Sequence, residues 1–311
     1  MRRWIVLLAA VVLPVTACGG GDSEDTAGDG ETRTVEHALG ETEIPVEPEN
    51  VVTLWSSTLS AALSLGVEPA GYAFNEDPIE GVDVPEGYDL EAIDYLGHSL
   101  ELDLERIAGA GPDLILATDV HEESYDQLSE IAPTVVLDWG GTGAWKDHLT
   151  DVADVLNATD AAEEVVAEYD DRVAEVAEAI GEPAEVEVSI VRFHAEELRL
   201  EVLNSFAGDI AQDVGLARPE VQDVEEEGSG YLPVSLERLP DADGDALFAF
   251  TVADNDDEAP NLLEDARDNP LWDELDAVRE DNVHTVDYMK WISANYIGAH
   301  GVLDDLEEAL G

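Results

Sequence analysis

The chain has 311 residues, 45% of them hydrophobic, with one cysteine and 74 Asp+Glu against 13 Lys+Arg, a formal net charge of −61. That imbalance excludes nucleic acid as a partner, since phosphate binding needs a basic face. A single cysteine, Cys18, excludes disulfides and thiolate metal centres from the folded part, whose stability has to come from an apolar core. The acidic residues are spread along the chain instead of forming a tail, so they read as a solvated shell. Its self-repulsion largely vanishes at molar salt, where the Debye length falls to about 3 Å, and the expectation is a salt-loving host with an acidic proteome.

Arg2 and Arg3 precede an apolar run from Trp4 to Leu13, followed by Val15-Thr16-Ala17-Cys18. A basic start, a short apolar segment and small residues before a cut describe a secretory signal over residues 1–17, too short to span a bilayer. The Val-Thr-Ala-Cys sequence resembles a bacterial lipobox. That resemblance implies lipidation of Cys18 and an extracytoplasmic protein anchored to the cell membrane. The twin arginines leave both the Sec and the twin-arginine export routes open. Residues 18–34 are rich in Gly, Ser, Thr and acid with no apolar periodicity, and read as a flexible tether.

From Val35, short apolar runs alternate with helical patterns, the signature of α/β layers with parallel strands. Strands are expected at Val51–Leu54, Ala70–Ala73, Leu114–Ala117 and Val135–Leu137, with helices at Leu59–Leu65, Leu102–Ala108 and Glu123–Ile131. The second half repeats the plan: Val188–Val191, Leu247–Phe250 and Val283–Val286 read as strands, and Ser205 caps a helix that ends at Gly215. VVTLWSSTLSAALSLGVEP parallels SIVRF…NSFAGDIAQDVGLARP, and LDLERIAGAGPDLILAT parallels VSLERLPDADGDALFAFT. Two similar Rossmann-like lobes follow, at 35–158 and 182–311. Between them, at 159–181, lies a stretch without Gly or Pro that has Val165, Val166, Tyr169, Val173, Val176 and Ile180 at helical spacing. A helix of that length spans roughly 30 Å and would act as a strut.

In open α/β sheets, ligands bind outside the carboxyl ends of the strands. Those positions are aromatic here: Trp55, Phe74 and Trp139 in the first half, Phe193 after Arg192, then Tyr288 and Trp291 in the second. Together they predict a cleft with flat apolar walls, although each ring alone fits equally well in a core. Arg192 suits an anionic or oxygen-rich ligand, or else a salt bridge to one of the many carboxylates. No nucleophile elbow, P-loop or zincin motif occurs. No two of the seven histidines share a short ligand spacing, so a metal set such as His98, His194 and Asp287 would depend wholly on the tertiary fold. The chain reads as a binding protein, not an enzyme, with no cofactor and no bound metal of its own.

The succession EHALGETEIPVEPENVVTLWSS, LELDLERIAGAGPDLILAT, YDQLSEIAPTVVLDW, LNSFAGDIAQDVGLARPE, VSLERL and NPLWDELDAVREDNVHTVD resembles the iron-siderophore substrate-binding lipoproteins of bacterial ABC importers. The resemblance implies two Rossmann-like lobes joined by one rigid helix, a shallow cleft, and a ferric siderophore delivered to an ABC permease by a monomer. It implies ligand contacts from Trp55, Trp139, Arg192, Phe193, Tyr231 and Trp291, with Ser56 and Tyr231 hydroxyls orienting chelate oxygens. His98 and Ser99 occupy a loop where some relatives place an arginine. Permease docking is implied for Glu122 or Glu123 and for Asp209. Haem or cobalamin binding within the same importer class is the alternative, and metal-ion binding a further one. The protein's negative charge favours a neutral hydroxamate chelate over a highly charged catecholate.

Overall fold

Residues 31–74, 85, 88–139, 144–194, 197–226, 228, 230–251 and 262–311 are described by the computed structural model. The signal segment, Cys18 and most of the tether lie outside them. Among the described residues, β1 (Thr32–His37) comes first and pairs antiparallel with β2 (Gly40–Pro45).

The first lobe is a parallel sheet of β3 (Val51–Thr53), β4 (Gly71–Phe74), β5 (Asp94–His98), β6 (Leu114–Thr118) and β7 (Thr134–Leu137), in the order β5-β4-β3-β6-β7. Its helices are α1 (Ser56–Ser64), α2 (Leu104–Gly109), α3 (Tyr125–Ser129) and α4 (Trp145–Leu156). The second lobe contains β8 (Val188–Phe193), β9 (Leu198–Glu201), β10 (Tyr231–Val234), β11 (Ala246–Thr251) and β12 (Val283–Thr285), in the order β10-β9-β8-β11-β12. Here β8, β11 and β12 run parallel, while β9 is antiparallel to both neighbours. Between the lobes runs α5 (Thr159–Ile180). The second lobe's helices are α6 (Phe206–Val214), α7 (Leu262–Arg267), α8 (Asp276–Arg279), α9 (Tyr288–Ile292) and α10 (Tyr296–Leu310).

The internal repeat has a topological meaning. Its two matched segments become β3 with β6 in one lobe and β8 with β11 in the other, and each pair sits side by side at the centre of its sheet. In the first lobe this is where strand order reverses, the switch point at which α/β sheets bind ligands. The second copy carries an added β9 hairpin strand between β8 and α6, and Ser205 still caps that helix, its Oγ accepting the Gly208 N–H at 2.9 Å. Gly208 is required there, because a Cβ would lie 1.9 Å from the Val202 carbonyl oxygen.

Strand residues alternate between faces, and each face packs its own cluster. Val52, Ile115, Ala117 and Val136 form the outer core of the first lobe; Val191, Leu198, Leu200 and Leu247 form that of the second. The opposite faces meet in one continuous cluster that takes Val51, Leu116 and Val135 from one sheet and Ile190, Phe248 and Phe250 from the other. Through α4, α5, α6 and α10, the lobes therefore share a core. Within α5, Ala162, Tyr169 and Val176 are buried, and Val165, Val166, Val173 and Ile180 are packed partly against the cluster. The connecting helix α5 lies along α10, and Arg172 reaches Asp304 at 2.7 Å and Glu307 at 2.6 Å. No helix among the described residues is long and apolar enough to cross a membrane.

Candidate ligand-binding site

The short β3 ends as the chain enters α1, and Trp55 stands at that turn, with the Thr58 hydroxyl donating to its carbonyl at 2.9 Å. Trp55 is half-buried and so is Ser56. Across the switch point, the turn after β6 brings up His121, whose ring meets Trp55 edge-on at 6.0 Å. His121 is buried and fully engaged: Nδ1 accepts the Thr118 N–H at 3.2 Å, and Nε2 lies 3.1 Å from the Ser99 carbonyl, which it reaches as a donor. Burial lowers its pKa against the opposing pull of these hydrogen bonds, so the ring is a neutral support for the tryptophan. In the sequence, the one signal for His121 is its place just after β6, as Trp55 comes just after β3.

His98 ends β5, exposed, with Nδ1 accepting the Leu100 N–H at 3.1 Å. Ser99 is buried, and its backbone, not a surface hydroxyl, is what the site uses. Trp139 follows β7, half-buried, its ring T-shaped against His148 at 4.8 Å.

In the second lobe, the Tyr231 ring is approached by two guanidinium groups, at 5.0 Å by that of Arg192 and at 4.5 Å by that of Arg199. Arg199 was not anticipated; it sits opposite Arg192 in the β8–β9 register, a pairing that no local sequence signal gives. Both arginines are answered by carboxylates, Arg192 by Glu201 at 3.0 Å and Arg199 by Glu197 at 2.9 Å. Of the two sequence readings of Arg192, the salt bridge is thus realised, at the lip of the sheet. Burial raises the Glu201 pKa, while Arg192 and Arg218 pull it back down.

Several expectations are corrected. Phe193 is 1% exposed, packed edge-on to Trp272 in the outer core, because the strand alternation that points Arg192 one way sends Phe193 the other. Trp291, also 1% exposed, stacks on Phe248 at 5.0 Å and donates Nε1–H to Asp305 at 2.8 Å, so it is a core residue of the shared cluster. Asp209 does not stand free on the surface: it accepts from Trp145 Nε1 at 3.0 Å and pairs with Lys146 at 2.8 Å, tying α6 to α4 across the lobes. Tyr288 stays half-buried, its ring 6.2 Å from Phe250. Glu122 and Glu123 are exposed on the turn after β6. Asp287 is used to cap α9, and no metal-holding group of three His, Cys, Asp or Glu occurs among the described residues.

Part-exposed aromatics remain after the strands, Trp55 and Trp139 on one lobe and Tyr288 on the other, while Tyr231 opens β10 opposite Glu201 with its ring beside Arg192 and Arg199. Such a rim offers flat apolar surface and oriented donors, which suits binding.

The periplasmic binding protein family model matches residues 51–288, which covers both sheets. The chain is 35% identical to the probable siderophore-binding lipoprotein YfiY of Bacillus subtilis (strain 168), over 98% of this chain and 95% of the relative. With the Fe(3+)-citrate-binding protein YfmC of the same organism it shares 28% identity, over 92% and 89%. Among solved structures it is similar to Staphylococcus aureus SirA complexed with staphyloferrin B, with a TM-score of 0.76 and 29% identity, over 90% of this chain and 98% of that one. Sheet order, rim and these likenesses agree: the chain belongs to the periplasmic binding protein family.

Proposed function

We propose that this protein is an extracytoplasmic lipoprotein that captures a ferric siderophore at the aromatic rim of its two lobes and passes it to an ABC permease, without catalysing a reaction. The observation that carries the reading is the contact of Arg192 and Arg199 with the half-buried Tyr231 ring, taken together with the half-buried Trp55 and Trp139 that follow strands of the other lobe. The relatives' names support it, since YfiY is named as siderophore-binding and YfmC as binding Fe(3+)-citrate. Lipidation at Cys18 would hold the protein at the membrane, and exposed Glu122 and Glu123 would meet basic residues of the permease.

The ligand is a ferric chelate of low net charge. Glu201 and Glu197 already balance Arg192 and Arg199, so the arginines offer hydrogen-bond donors without surplus positive charge, in a protein whose overall field repels anions. Tryptophan quenching in molar KCl against ferric trihydroxamates, ferric catecholates, ferric citrate, haem and cobalamin tests this. Saturable quenching is expected from the ferric chelates and strongest from a trihydroxamate; quenching by haem or cobalamin alone would replace the reading.

A further inference from the structure

Where the lobes join, α1 and α4 of the first meet the turn that opens α10 of the second. A cavity of ≈ 10 Å³ lies there, lined by Ser57, Trp145, His148, Asn295 and Tyr296 among others. It has room for about one water. Three polar atoms in this lining are buried without a hydrogen-bond partner: Ser57 Oγ and both ring nitrogens of His148. His148 is 3% exposed, and its ring carries Trp139 edge-on at 4.8 Å, so one face of the joint is also the support of a rim tryptophan.

The surroundings offer a proton no compensation. From α1 and from the turn before α10 no charged side chain lines the cavity; the titratable group there is the Tyr296 phenol, which burial keeps neutral by raising its pKa. On α4, Lys146 is taken by Asp209 and Asp213. The acids nearest in sequence, Asp147 and Asp151 on α4 and Asp138 after β7, crowd one another with Asp154, and none hydrogen bonds the ring. Burial alone pushes the imidazole down to about 4.

We propose that His148 is a positioning residue that makes ligand capture proton-sensitive: neutral, it seats α4 against the Tyr296 turn and props Trp139; protonated, it opens the joint to water and releases that prop. The ligand half of this statement rests on the reading of Trp139 as a wall of the ferric-chelate site. A charged imidazole there meets no carboxylate, only neutral oxygens, so the proton is favoured in a conformation where bulk water reaches the ring.

The test compares the wild-type protein with His148→Phe, which keeps a ring against Trp139 but cannot titrate, and with His148→Gln should the first variant not fold. In molar KCl without ligand, the wild-type unfolding constant should rise about thirtyfold more than the variant's between pH 7.5 and pH 5. With a ferric trihydroxamate as probe, the wild-type Kd should rise about tenfold more than the variant's between pH 7.5 and pH 3, one unit below the value of about 4 that burial gives the imidazole. Parallel pH profiles of wild type and variant, in either arm, would overturn the proposal. Absence of quenching by the probe at pH 7.5 would strike the binding reading alone, and the ligand-free arm would still decide whether the joint responds to protons.

Discussion

For Arg192, the structural pairing and the proposed role in recognition can be separated by substitution. Its partner Glu201 is buried, so Arg192→Ala strands a carboxylate and should cost about 2–4 kcal/mol in a denaturant titration. Replacing both residues by methionine should restore most of that stability without restoring affinity for a ferric chelate. Recovery of affinity in the double variant would show that the guanidinium is structural only. Trp291 and Phe193 should behave in the opposite way: truncation of either to alanine costs about 3–5 kcal/mol through the cavity it leaves. The positions of these aromatics after strands were legible in the sequence. Their burial was not, since a ring at a strand's end has the same local pattern whether it faces solvent or a helix packed from elsewhere.

At the scale of elements, the lobes are fastened by a polar clamp. Lys146 of α4 lies between Asp209 at 2.8 Å and Asp213 at 2.5 Å, and Tyr169 of α5 donates to Asp213 at 2.6 Å. Burial opposes the lysine's charge, but the two carboxylates outweigh it and hold its pKa above the usual range. Lys146→Met would leave two facing carboxylates; the group is about a third exposed, so the expected loss is only about 1–2 kcal/mol, read as a lower thermal midpoint. An unchanged midpoint at low salt would mean the clamp carries no load. Most central strands and α5 follow from apolar runs and helical spacing, as the agreement at Leu114–Thr118 and Thr159–Ile180 shows. The clamp does not, because it pairs residues more than forty positions apart, and neither do β9 and β10, whose mixed Leu198–Glu201 and Tyr231–Val234 patterns are too short to mark a strand.

For the whole molecule, charge and protons set the working conditions. With a net charge of −61, the protein should gain stability steadily from low to molar KCl as repulsion is screened; equal midpoints at both extremes would contradict the salt-loving assignment. Acidity acts separately. His37, His121, His148, His284 and His300 all have pKa values lowered chiefly by burial. A histidine depressed in the folded state contributes stability that is complete above its unfolded value near 6.5 and is lost as pH falls below it, down to about 4 for His148. In molar salt, calorimetry should therefore show the thermal midpoint falling from pH 7.5 to pH 5; a midpoint that rises instead would mean relief of carboxylate repulsion dominates even when screened.

The central claim is that one ligand touches both lobes. Its most direct test is a ferric trihydroxamate titration, in molar KCl, of Trp55→Ala from the first lobe and Tyr231→Ala from the second, with thermal midpoints measured alongside. Each variant should lose at least about tenfold in affinity while keeping nearly the wild-type midpoint. Wild-type affinity in either variant would contradict a site shared between the lobes.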